Sequence, residues 1–203
     1  MALPKINTIL YDLKLPSSGK KVEYRPFLVK EEKILLMALE GKDDREMSRA
    51  IKQIITQCVS TEGFNVNKLP MIDLEYLFLN IRGKAVGDIS TISFEHECGE
   101  IIKLDIDLSK VKIVKNKKYS DLVKLTDDIM IRLSPPGIDN VIGAGDKNQI
   151  DMVMEIIRDS IVEIIQDEDV FSAQDHTREE LEEFLDSLNS GQFKKLQDYY
   201  ESL

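Results

Sequence analysis

The hydrophobic pattern of this chain changes period part-way along, and that change limits the folds open to it. Over residues 43–59 the side chains Met47, Ala50, Ile51, Ile54, Ile55, Cys58 and Val59 recur at the spacing of one helix face. From residue 89 the spacing becomes two. Ile92 and Phe94 alternate with Ser93 and Glu95, and Ile102, Leu104, Ile106 and Leu108 alternate with Lys103, Asp105 and Asp107. Helical and strand periods held in separate blocks describe an α+β chain.

The flanking segments fill in that scheme. Residues 8–14 and 21–25 bracket Pro16-Ser17-Ser18-Gly19 and read as a β-hairpin with a longer loop, ended by Pro26. Residues 29–40 are strong helix formers, and Gly41 sits where the end of a helix takes positive φ. Asp43 or Asp44 caps the next helix, and residues 71–82, between Pro70 and Gly83, are apolar nearly all round, as in a helix buried on several sides. The alternating segments around Cys98-Gly99 read as two half-buried antiparallel strands, and Ile129, Ile131 and Leu133 add another before Pro135-Pro136-Gly137.

Residues 149–166 place Ile150, Val153, Met154, Ile157, Ile161, Ile164 and Ile165 on one face, which predicts a long amphipathic helix. Two helices follow at 177–188 and 191–201, capped by Thr177, with Glu180 completing a capping box, and by Ser190. The acidic run Gln166-Asp167-Glu168-Asp169 is the best linker candidate. The expected organisation is a body over 1–148, holding an N-terminal hairpin, helices at 29–83 and a small central antiparallel sheet at 89–134. An acidic C-terminal helical segment over 149–203 completes it.

A chain of 203 residues with 42% hydrophobic content can bury a core, and it contains no apolar run near the roughly 18 residues needed to span a bilayer. The net charge of -10 argues against nucleic acid, whose binding draws on lysines and arginines. Residues 151–203 carry 4 Lys+Arg against 15 Asp+Glu, while residues 1–150 carry 23 against 22. The acidic end is either a docking surface for a basic partner or a solvated face. Two cysteines, Cys58 and Cys98, provide no disulfide framework and read as free thiols in a reducing cytoplasm.

Little in the chain points to chemistry. His96-Glu97-Cys98-Gly99 is the one constellation that invites a metal, yet a structural zinc site needs four ligands and the chain offers only His96, Cys98, Cys58 and His176 as Cys or His donors. A thiol nucleophile at Cys98 activated by His96 would share a strand face with its base but has no orienting third group. Gly143-Ala144-Gly145-Asp146-Lys147 lacks the spacing of a phosphate-binding loop, and Lys115-Asn116-Lys117-Lys118 lacks the aromatics of a single-strand binding groove. No cofactor and no catalytic residue is expected. The strongest candidate surface is the apolar stripe of the C-terminal helices: Leu181, Phe184, Leu185 and Leu188, then Phe193, Leu196, Tyr199, Tyr200 and Leu203. It packs on the chain's own core, or it meets a partner through Leu181, Phe184, Leu188, Phe193, Leu196, Tyr199 and Tyr200.

Three blocks carry a likeness. Val22-Glu23-Tyr24-Arg25-Pro26-Phe27-Leu28-Val29-Lys30-Glu31-Glu32-Lys33-Ile34-Leu35-Leu36-Met37-Ala38 follows Leu3-Pro4-Lys5-Ile6 and the turn Leu15-Pro16-Ser17-Ser18-Gly19-Lys20. Leu69-Pro70-Met71-Ile72-Asp73-Leu74-Glu75-Tyr76-Leu77-Phe78-Leu79-Asn80-Ile81-Arg82-Gly83-Lys84 is the second, and Phe184-Leu185-Asp186-Ser187-Leu188 with Gln192-Phe193 the third. Together they resemble the baseplate hub subunit family of T4-like tailed bacteriophages. The resemblance implies a non-enzymatic protein that binds other baseplate hub proteins in the host cytoplasm and promotes hub assembly. A permanent hub subunit in the virion baseplate is the alternative within that class; a small metal-binding or thiol-dependent protein centred on His96 and Cys98 is the alternative from another. Members of the family often carry a pair of cysteines in the central hairpin, and Glu95 stands where the first of them would fall.

Overall fold

The computed structural model describes residues 7–96, 98–114, 119–142 and 149–202. The chain is α+β, as its periodicity predicts, and divides into two compact units, residues 1–113 and 114–203. That division falls well before the expected boundary at residue 148, because the strands at 122–133 pair with strands at 161–172 and so belong with the C-terminal part.

The first unit opens with β1 (Tyr11–Lys14) and β2 (Lys21–Tyr24), an antiparallel hairpin in the register Tyr11↔Tyr24 to Lys14↔Lys21. Asp73, buried in the helix that follows later, accepts hydrogen bonds from the Ser17 backbone N–H at 2.8 Å and from its hydroxyl, which fixes the hairpin loop. Helix α1 (Val29–Gly41) runs one residue past the expected end, and the left-handed residue is Lys42 (φ 52°) rather than Gly41. A Cβ at Gly41 would lie 2.6 Å from the carboxylate of the exposed Glu46 side chain, which is free to move aside. Asp43 caps α2 (Asp44–Cys58) by accepting from the Arg45 N–H at 2.8 Å, and this helix buries Ala50, Ile54, Ile55 and Cys58.

Helix α3 (Met71–Val86) buries Leu74, Leu77 and Ile81 almost completely. It continues through Gly83, where it was expected to stop. The terminator is Gly87, whose φ of 121° excludes an ordinary side chain, while a Cβ on Gly83 would meet the Asp88 carboxylate at 2.8 Å.

Strands β3 (Ile89–Glu95) and β4 (Ile101–Asp107) then form the expected hairpin, with Ile92 opposite Leu104 and Phe94 opposite Ile102. Half-burial is confined to one end of the hairpin, at Ser90, Ile106 and Asp107. Phe94 is 53% and Ile102 52% exposed, because these two strands pair only with each other and no third described layer covers their apolar face.

The second unit is a four-stranded antiparallel sheet. Its strands are β5 (Leu122–Lys124), β6 (Ile129–Leu133), β7 (Ile161–Gln166) and β8 (Asp169–Ser172), in that spatial order. The helices are α4 (Ile138–Ile142), α5 (Gln149–Ser160), α6 (Arg178–Asp186) and α7 (Ser190–Glu201). The single long helix expected over 149–166 therefore ends at Ser160. Ile161, Val162, Ile164 and Ile165 are β-branched, and pairing with β6 (Met130↔Ile165, Ile131↔Ile164) suits that preference while burying Ile161 and half-burying Ile164 and Ile165. The run 166–169 is no linker: Gln166 pairs with Asp169, and Asp167 makes the turn at φ 52°.

The capping box at Thr177 and Glu180 is present, with Glu180 accepting from the Thr177 N–H at 2.8 Å. The last helix is capped one residue earlier than expected, by Asn189, whose backbone N–H donates to Gln192 Oε1 at 2.9 Å and whose side-chain oxygen accepts from the Gln192 N–H at 3.0 Å. Leu125, Ile131, Leu133, Ile157, Ile161, Leu185, Leu196 and Tyr199 form the core. Arg132 bridges Asp121 and Glu163, and the buried Arg158 bridges Asp159 and Glu182 and reaches Glu155 at 4.0 Å, so two arginines hold five of this unit's carboxylates.

Candidate functional site

The C-terminal stripe turns inward for the most part. Leu196 and Tyr199 lie in the core of the second unit, and Leu188, Phe193 and Tyr200 pack half-buried against it. Tyr199 sits edge-on to Tyr200 with ring centroids 5.1 Å apart and tilts against Tyr119 at 5.8 Å. Burial pushes the Tyr200 hydroxyl up to about 12, and it donates to the Ile156 carbonyl at 3.3 Å. Burial likewise raises Tyr199 above the ordinary tyrosine value.

Leu181 and Phe184 differ from the rest because they border an open groove of about 220 Å³. The sheet contributes Ile129, Ile164, Gln166 and Phe171; the segment leading into α6 and the helix itself contribute His176, Glu180, Leu181 and Phe184. The periodicity that singled out Leu181 and Phe184 missed the sheet side, since residues 161–166 read as helix and Phe171 stood outside every predicted element. His176 Nδ1 lies 3.4 Å from Glu180 Oε2, and its ring stands 6.2 Å from that of Phe171. The Glu180 carboxyl is held below its ordinary value, first by the Thr177 backbone N–H and then by His176.

The groove is apolar on its floor and ionic at one rim. A space of this size falls below the roughly 300–1,000 Å³ of small-molecule sites and suits one inserted side chain. Its surroundings are acidic. Asp167, Glu168 and Asp169 stand at the turn beside Gln166, Glu179 and Glu183 flank Glu180 on α6, and all five are exposed.

In the first unit, His96 and Cys98 do come together. The imidazole Nδ1 lies 3.0 Å from Cys98 Sγ and accepts from the Cys98 N–H at 3.3 Å, in a turn closed by Gly99 at φ 84°. Both side chains are exposed. Among the described residues no group of three or more Cys, His, Asp or Glu side chains is placed to hold a metal ion. Cys58 is buried, and burial pushes its thiol up to about 11. Glu97, the basic run Lys115-Asn116-Lys117-Lys118 and Gly143-Ala144-Gly145-Asp146-Lys147 lie outside the described residues, as does Leu203. Among the described residues no helix is long and apolar enough to cross a membrane.

The first unit also leaves large apolar side chains in solvent: Val29, Leu36, Met37 and Leu39 on α1, and the Ile92, Phe94, Ile102 and Leu104 face of the second hairpin. Exposed apolar faces of this extent in one unit, and in the other a groove sized for a side chain, are features of a protein that contacts other macromolecules. A family described as T4 bacteriophage base plate protein matches residues 7–203, and the chain belongs to that family. It is a phage baseplate protein with a structural or assembly role in that organelle. No curated protein and no solved structure matches it.

Proposed function

We propose that this protein is a non-enzymatic assembly factor of the baseplate hub, binding hub subunits in the host cytoplasm and holding them until they join in order. The observation that carries the reading is the apolar surface left uncovered on α1 and on the β3–β4 hairpin. A folded chain that keeps side chains such as Met37 at 71% exposure and Phe94 at 53% exposure bears the cost of wetting them, and a partner that covers them recovers it. Shielding the apolar faces of incoming subunits would keep them from associating in the wrong order. The acidic C-terminal unit, with Leu181 and Phe184 at its groove, offers a second contact surface, and Leu188, Phe193, Leu196, Tyr199 and Tyr200 act there by supporting α6 and α7.

Affinity capture of the tagged protein from phage-infected cells, with mass spectrometry of what is bound, tests the reading. Recovery of baseplate hub proteins is the expected result; recovery of none by soluble, folded bait would overturn it. Mass spectrometry of purified virions separates a released factor, absent from particles, from a permanent hub subunit, present in fixed copy number.

A further inference from the structure

The groove of the second unit combines three properties. Its floor is apolar, with Ile129, Ile164, Leu181 and Phe184 facing Phe171 from the edge strand β8. Its volume, about 220 Å³, suits a side chain better than a cofactor. Glu180 is in its lining, and further exposed carboxylates neighbour the lining residues in sequence: Asp167, Glu168 and Asp169 at the β7–β8 turn after Gln166, and Glu179 and Glu183 on α6. None of these five forms a salt bridge with a described cation. Two of the unit's three arginines are engaged elsewhere, Arg132 with Asp121 and Glu163 and Arg158 with Asp159 and Glu182, while the third, Arg178, is exposed at the start of α6.

We propose that this groove receives a basic amphipathic segment of a partner protein. One bulky apolar side chain of the segment enters between Phe171 and Phe184, and lysines or arginines on either side of it meet the two groups of carboxylates. Charge complementarity selects this occupant over the others. Residues 114–203 carry 10 Lys+Arg against 20 Asp+Glu, so a second copy of the same surface, or any acidic segment, would be repelled. The apolar floor supplies residence, while the unpaired carboxylates supply steering and fix the direction in which the segment lies.

The inference rests on the reading of this protein as one that docks other proteins, and its test is independent of which baseplate protein that is. The probe is a short labelled synthetic peptide with one phenylalanine flanked on both sides by lysines, titrated into the full chain and followed by fluorescence anisotropy. Two control peptides carry alanine in place of the phenylalanine or glutamate in place of the lysines. Binding of the first peptide alone is expected, weakening with added salt and falling at least about tenfold in Phe171→Ser. Phe171 is 40% exposed on an edge strand, so its loss leaves the core in place. The pair Glu179→Lys and Glu183→Lys, on solvent-facing positions, should weaken both the affinity and its salt dependence, with Asp167, Glu168 and Asp169 supplying what remains.

Failure of the lysine peptide to bind at millimolar concentration, equal binding of the glutamate peptide, or full affinity in both variants would each overturn the proposal. The two readings fail separately. A chain that binds the peptide but recovers no baseplate protein from infected cells removes the assembly function and keeps the groove. One that recovers baseplate proteins while both variants bind the peptide undiminished keeps the function and removes the groove.

Discussion

Glu31 is the residue on which the first unit's integrity turns. Its carboxylate is fully buried and accepts from Arg25 at 2.8 Å and from the Leu28 N–H at 2.8 Å, while Arg25 also donates to the Pro26 and Gln57 carbonyls. This ties the strand end, the start of α1 and the end of α2 together. Burial alone would raise the Glu31 carboxyl, but the hydrogen bonds from Arg25 and Leu28 outweigh it and hold the group below its ordinary 4.5. A folded value below the unfolded one gives stability that is complete above the ordinary carboxylate range and is lost as pH falls through the lowered value. Glu31→Gln should therefore cost about 3 kcal/mol at neutral pH, by leaving the Arg25 charge largely buried, and the cost should shrink on acidification below pH 4. Urea titrations of both proteins at several pH values measure this, and an unchanged difference at low pH would contradict it. The two thiols provide a second residue-scale expectation. A maleimide should modify Cys98 in the native protein and reach Cys58, buried and raised to about 11, only on unfolding, as mass spectrometry of the labelled chain would show. None of the Arg25–Glu31 geometry could be read in the sequence, where the two stand six apart in a charged stretch. The His96–Cys98 contact was readable, because i and i+2 share a face near a turn.

At the scale of elements, local signals were legible wherever the chain's own neighbours decide the outcome. Thr177 with Glu180 announces a helix start because both partners lie within one turn, and the capping box is there. Thr177→Ala should lower stability by about 1 kcal/mol, read from the urea midpoint of the second unit. Residues 161–166 were not legible, since Ile161, Ile164 and Ile165 fall at helical spacing and do not alternate as the strands at 92–108 do. The choice is made by β6, thirty residues earlier, whose Met130 and Ile131 need partners. The β3–β4 hairpin shows the converse: its alternation specifies an apolar face correctly, yet alternation says nothing of whether the same chain covers that face. The Leu181–Tyr200 stripe likewise specified amphipathic helices, and what it packs on became visible only with the sheet. Because Leu185, Leu196 and Tyr199 belong to that core, deleting residues 177–203 should unfold the second unit outright. Loss of its hydrogen-exchange protection would show this, and retained protection of β6 and β7 would refute it.

For the whole molecule, charge divides as the chain does. Residues 1–113 hold 17 Lys+Arg and 17 Asp+Glu and are neutral, whereas residues 114–203 carry the entire net charge of -10. Self-repulsion of that size opposes the compact state of the second unit and keeps it soluble and open to cations. Screening must then act on the two units differently. Raising sodium chloride from about 0.01 M to 0.1 M shortens the Debye length from about 30 Å to about 10 Å, which removes most of the repulsion between exposed carboxylates on one small sheet-and-helix unit. The short bridges at Arg132 and the buried Arg158 are screened less. Hydrogen exchange resolved by peptide should show protection rising with salt across β5–β8, α6 and α7 and changing little across α2 and α3. A basic peptide seated in the groove should mimic the salt, protecting the same strands by neutralising the same carboxylates. If protection in the second unit instead falls as salt rises, attraction outweighs repulsion there, and the acidic surface is already balanced within the chain with no call for a basic partner.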